Sequence, residues 1–257
     1  MIIVTVTFGV AYFHRYSHTP GESPGEELIQ DLIASLEGKI AGGLGFNKGL
    51  VDRIDYERLE RRAAETVVES LEQDGLLRAV AGAVAEAGPW NASMDMVARR
   101  SGLSKSGLYA HFRNKQDMLR QLFMTEFQRM ATHAEACVRG SSVPEEQFYL
   151  AIIGIAGYLR SRPEILIAVD WLRTRRLDLG LSVPPGIYKL FSDIRIPGTE
   201  LSPAAGPLSE EMVQWILFLI VNTLMRRPAD TEFAGVTNES FRILYRFVGL
   251  GVEGFNR

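Results

Sequence analysis

One cysteine, Cys137, stands in a chain of 257 residues. A lone thiol builds neither an intramolecular disulfide nor a cysteine metal cluster, and it suits a reducing cytoplasm. Cys137 itself reads as a small buried apolar residue. Long apolar runs are missing as well. The stretch Met1–Val10 has no basic residues before it and is far shorter than the ~20 residues needed to span a bilayer, so neither secretion nor a membrane anchor is expected. An excess of charge is also lacking. Lys+Arg 28 against Asp+Glu 31 gives a formal net charge of -3, so any attraction to a polyanion must come from a local basic patch.

Several function classes find no support. There is no nucleophile elbow, no paired His–carboxylate spacing and no cofactor fingerprint, so the chain is not read as an enzyme and no cofactor is expected. The glycine-rich stretch 42–49 (GGLGFNKG) fits neither G-x-x-x-x-G-K-[ST] nor a strand followed by G-x-G-x-x-G, and reads as a flexible connection. His111 has no ligand partner at i+3 or i+4, and His14 and His18 read as weak metal candidates, so no metal site is expected.

Strand-like alternation is nearly absent outside Met1–Phe8, and no repeat of fixed period occurs, which disfavours sandwiches and solenoids. The hydrophobic fraction of 46% and charged fraction of 23% are those of an ordinary globular protein, and the length exceeds the roughly 100 to 200 residues of one domain. The expected fold class is all-α. Apolar residues at helical spacing mark helices from Glu26 to Ile40 and between Asp52 and Gln73. Others are expected at Leu76–Ala87, Met118–Cys137, Glu145–Arg160, Glu164–Leu177, Ser209–Arg226 and Asn238–Gly254. Pro184–Pro207 reads as a Gly/Pro-rich separator.

The segment after Gly88-Pro89 carries the chemistry. Ser93 is a good N-cap for a helix over Met94–Ser101, Gly102-Leu103 supplies a tight turn, and Ser104 caps a second short helix through Phe112. Val97, Ala98, Leu103, Leu108 and Phe112 are the positions that would lock the two helices together. That leaves Lys105, Ser106, Tyr109 and His111 facing outward, a set of donors, hydroxyls and an aromatic ring suited to phosphates and groove edges. Arg99, Arg100, Lys105, Arg113, Lys115, Arg120 and Arg129 outnumber Asp117 and Glu126 from 99 to 129, giving an acidic chain a basic stretch.

Leu77 and Ala79, Glu86–Gly88, Ser93-Met94, the run Val97–Phe112 (VARRSGLSKSGLYAHF) and Asn114-Lys115 together resemble the signature of the TetR family of transcriptional regulators. The resemblance implies a three-helix DNA-binding module followed by an α-helical ligand-binding and dimerisation domain. It further implies that Ser93, Lys105, Tyr109, His111 and Lys115 meet the DNA backbone, with Ser104 and Ser106 at the groove-facing start of the recognition helix. Departures stand at Val84 and Pro89, where the family usually has aromatics. Another is Gly107, which should cost the recognition helix about 1 kcal/mol relative to Ala. Family members generally begin with the DNA-binding module, whereas here residues 1–73 precede it.

The resulting division is an N-terminal extension over 1–73, a DNA-binding domain over 74–122 and an effector-binding and dimerisation domain over 123–257. Phe127, Met130, Phe148, Tyr158 and Trp171 are the candidates for an effector pocket, because they lie on helices that enclose one in the resembling family. Trp215, Phe218, Leu219, Phe241, Leu244, Tyr245 and Val248 are the candidates for a dimer interface, since such apolar helices rarely lie exposed on a monomer; burial in one subunit's own core is the competing reading. The implied function is a cytoplasmic, homodimeric, sequence-specific regulator and effector-responsive repressor on a pseudo-palindromic operator, with double-stranded DNA, a second copy and a small-molecule effector as partners. A ligand-independent regulator or interaction scaffold with a partly vestigial DNA-binding module is the alternative.

Overall fold

The computed structural model describes residues 42–66, 75–175, 184–195, 208, 210–225 and 238–252. The expected helix over 26–40, the strand-like Met1–Phe8, His14 and His18 lie outside them. Among the described residues all regular structure is helical: α1 Lys48–Val51, α2 Tyr56–Glu65, α3 Gly75–Asn91, α4 Met94–Ser101, α5 Lys105–His111, α6 Lys115–Val138, α7 Pro144–Arg160, α8 Pro163–Arg175, α9 Pro185–Ser192, α10 Glu210–Met225 and α11 Asn238–Leu250. No described helix is long and apolar enough to cross a membrane.

Local chemistry sets most of these boundaries. Asp55 caps α2 by accepting from the Arg58 N–H at 3.0 Å, so that helix starts later than the expected Asp52. Pro144 and Pro185 open α7 and α9 at the first helical position, where the missing N–H costs nothing. Helix α9 corrects the sequence reading, which left 184–207 as a separator. Ile187, Leu190 and Phe191 follow helical spacing and are buried there, a pattern one turn too short to stand out among prolines and glycines. Helix α3 ends where expected and then turns: Gly88 adopts φ 75, ψ 159, and one further helical turn runs through Pro89 to Asn91. A Cβ at Gly88 would sit 3.3 Å from Cζ2 of Trp171 on α8, so glycine serves both backbone and contact there.

The core is built on the antiparallel pair α6 and α7, against which α8, α9, α10 and α11 pack; α3 lies between α8 and α6 and joins the short helices α4 and α5 to the rest. Close approach of α6 and α7 depends on Gly154, whose missing Cβ would lie 3.0 Å from Ala134 Cα.

Residues 42–66 are part of this packing. The Leu44 N–H donates to Val248 O at 2.9 Å and the Phe46 N–H to Gly249 O at 3.0 Å. The Phe46 ring sits edge-on to Phe148 with centroids 5.3 Å apart and 5.7 Å from Tyr245. Further along, the Glu60 carboxylate accepts from Arg242 at 2.7 and 2.9 Å and from the Tyr149 hydroxyl at 2.6 Å. Burial pushes the Glu60 carboxyl up, but the Arg242 and Tyr149 hydrogen bonds outweigh it and hold the group below its usual range.

Candidate nucleic-acid interface

Two short helices, α4 and α5, and the start of the long α6 present the candidate surface. Ser93 Oγ accepts from the Met96 N–H at 3.2 Å and starts α4. Gly102, with φ 71, ends α4 in the left-handed conformation that a tight turn needs. Ser104 Oγ then accepts from the Gly107 N–H at 3.0 Å and lies 3.1 Å from Ser106 Oγ, fixing the first turn of α5. Val97, Ala98, Leu108 and Phe112 are buried and hold α5 against the rest of the unit. Leu103, expected in that core, is instead 37% exposed, because it rides on the turn itself.

With Leu108 and Phe112 turned inward, α5 presents Lys105, Ser106, Tyr109 and His111 to solvent. Tyr109 is 48% exposed. Lys105 Nζ lies 3.0 Å from Asp95 Oδ1; that carboxylate raises the lysine's proton affinity and keeps it charged. Lys115 donates to the carbonyl of Trp90, and partial burial lowers its pKa. Asn114 caps α6 through the Asp117 N–H at 2.8 Å. Asp117 in turn accepts from the Arg113 N–H, which holds its carboxyl below the usual range.

Two members of the basic stretch are committed elsewhere. Arg129 pairs with buried Glu126 at 3.1 Å inside the larger helical body, and Arg100 pairs with Glu86 across α3 and α4. Arg99, Arg113 and Arg120 are exposed. Sequence reasoning missed Trp90, 47% exposed beside the Lys115 contact, since it belongs to no helical stripe; only its place after Gly88-Pro89 signals it. Asp95, the partner that positions Lys105, was missed for the same reason.

The candidate effector residues fall into separate groups. Phe148 belongs to the aromatic cluster with Phe46, Phe191 and Tyr245. Tyr158 and Met130 are buried where α6 meets α7, Phe127 is half-buried and stacked on Phe123, and Trp171 lies against Gly88. The residues expected at a dimer interface, Trp215, Phe218, Leu219, Phe241, Leu244, Tyr245 and Val248, are all buried within the single chain. Tyr245 donates to Glu145 O at 3.0 Å, Phe241 lies beneath Arg160 and Trp215 contacts Phe247. These side chains therefore form the subunit's own core, because α11 turns its apolar side toward α7 and α10.

Residues 76–122 match the family model described as bacterial regulatory proteins, tetR family. This part of the chain is a tetR-family module. Two solved structures share the wider fold. One is the fatty acid degradation regulator FadR from Bacillus halodurans, with TM-score 0.55, 19% identity, and coverage of 67% of this chain and 97% of that one. The other is the transcriptional regulator FadR from Bacillus subtilis in complex with stearoyl-CoA, with TM-score 0.54, 19% identity, and coverage of 66% and 96%. No curated protein matches the chain.

The tetR-family module carries its departures without loss of packing. Val84 and Pro89, at positions usually aromatic in the family, are both buried. Gly107 has room for a Cβ only at 3.3 Å from the capping Ser104 Oγ.

Proposed function

We propose that the chain is a sequence-specific DNA-binding transcriptional regulator, an effector-responsive repressor that acts in the cytoplasm as a homodimer on a pseudo-palindromic operator. The observation that carries this reading is the outward face of α5, where Lys105, Ser106, Tyr109 and His111 stand exposed on a tetR-family module, flanked by Ser93, Ser104 and Lys115. Recognition helices of two copies would enter successive major grooves, with lysines and hydroxyls on the phosphates and α5 on base edges.

The division at residues 73/74 and 122/123 belongs to this proposal, with the qualification that residues 42–66 are joined to the effector domain by packing. An effector held among α6–α11 would shift the spacing of the two DNA-binding modules through its differential affinity for two states. The tight seat of Trp171 against Gly88, at the join between α8 and α3, supports such coupling. Because the FadR of similar fold holds stearoyl-CoA, an acyl thioester is the first effector class to test.

The direct test is selection of bound fragments from random duplex DNA at fixed salt, run in parallel with the Lys105→Ala, Tyr109→Ala double variant. An inverted repeat enriched by the parent chain and not by the variant supports the reading. Absence of enrichment by either sinks it.

A further inference from the structure

A polar centre that DNA binding does not use lies buried where α6 meets α7. Glu126, Arg162 and His133 are 1%, 7% and 8% exposed. Glu126 accepts from the Tyr158 hydroxyl at 2.7 Å and pairs with Arg129 at 3.1 Å and Arg162 at 3.3 Å. Arg162 Nε reaches Glu164 at 3.6 Å. The arginine head and the His133 ring flank Tyr158, at 6.0 Å and 6.1 Å from its ring centroid. Two atoms of this otherwise satisfied cluster, Arg162 Nη1 and His133 Nδ1, are buried without a hydrogen-bond partner. A buried donor on a charged group such as Arg162 Nη1 is rarely left unmet, because the desolvation it suffers exceeds what one hydrogen bond returns.

Charge decides what can meet them. Glu126 and Glu164 balance Arg129 and Arg162, so the centre holds no spare positive charge, and burial keeps the His133 imidazole neutral. A carboxylate or phosphate placed there would be a buried, uncompensated charge, which is far costlier than a neutral acceptor. We propose that this centre recognises an uncharged carbonyl oxygen, of an ester, thioester, amide or ketone, on a ligand with an apolar body, and that Arg162 Nη1 donates to it. Met130, one turn from Glu126 on α6, supplies apolar surface next to the centre. Arg129 and Glu164, 26% and 31% exposed, mark where it meets solvent. The proposal rests on reading α6–α11 as an effector domain and adds the effector atom that is read and the residue that reads it.

Three probes of similar length separate the alternatives: methyl octanoate, the octanoate anion and methyl octyl ether, each titrated against the full chain by tryptophan fluorescence. The ester should bind about ten-fold more tightly than either of the others, the scale of one hydrogen bond to a charged donor. Arg162→Lys keeps the charge beside Glu126 but gathers its donors on one nitrogen, which cannot reach Glu126 and the carbonyl from separate nitrogens as Nη2 and Nη1 do, and should erase the preference. Should that variant fail to fold, a 13C-labelled ester carbonyl gives the same answer on the parent chain, its stretching band moving to lower frequency on binding. Equal affinity for ester and ether would mean that a buried water meets the two atoms, and overturns the proposal. Preference for the anion, an ester preference that survives Arg162→Lys, or saturable binding of none of the probes overturns it too. The operator selection reads α5 alone, so failure there with the ester preference intact would sink the regulator reading and spare this one.

Discussion

Phe46→Ala tests whether residues 42–66 belong to the folded body. The ring is 5% exposed, lies edge-on to Phe148 and fills the space that a side chain at Gly249 would need, where a Cβ would come 2.8 Å from Cε2. Truncating a buried phenylalanine costs about 3–5 kcal/mol, and an aromatic pair adds about 0.5–1.5 kcal/mol of that. The loss has a ceiling, however. If removing the ring costs more than docking the segment gains, the segment detaches and the remaining body keeps its stability. Two assays separate these regimes. Denaturant unfolding reads the global loss, while hydrogen exchange at the Leu44 and Phe46 amides, bonded to Val248 and Gly249, reads detachment. Gly249→Ala attacks the same contact from the other side and should give the same pattern. A loss below about 1 kcal/mol with those amides still protected would refute the reasoning, because a buried ring at the apex of an aromatic cluster cannot be both anchoring and dispensable.

Gly88→Ala should cost about 1–3 kcal/mol in backbone strain alone, since φ 75, ψ 159 is almost closed to other residues. Contact with Trp171 adds to it, and Trp171→Ala in the same chain should recover only the contact part; full recovery in denaturant unfolding would show the backbone is not strained. Because Glu60 is held below its usual range when folded, its contribution is fully present above the unfolded value of about 4.3 and is lost as pH falls through the lower folded value. A Glu60→Gln chain should therefore lose less stability on acidification than the parent, as read by unfolding midpoints between pH 6 and 3; parallel curves would remove Glu60 from the account.

Much of this was legible along the chain because it is local. Caps at Ser93 and Ser104, a left-handed Gly102 and the alternation of buried Leu108 and Phe112 with exposed Tyr109 and His111 need only a few neighbouring residues to act. Helix α9 was hidden because one apolar turn among prolines is too short a period to register. Trp215, Phe241 and Tyr245 looked like an interface because periodicity says that a face is buried and not what buries it. The separation of Phe148, Tyr158 and Trp171 into different surroundings was equally invisible, since their helices are alike and their neighbours come from elsewhere.

The sequence by itself determined the all-α class, the helix-turn-helix and its outward donors, because hydrogen bonds within a turn and side-chain spacing within a helix are set by residues close in the chain. Tertiary structure alone decided that residues 42–66 dock on α7 and α11, that Glu60 meets Arg242, and that Glu126, Arg162 and His133 share one buried centre with two atoms unmet. Those contacts join residues far apart in the chain, and burial, charge balance and hydrogen-bond satisfaction exist only once the helices are packed.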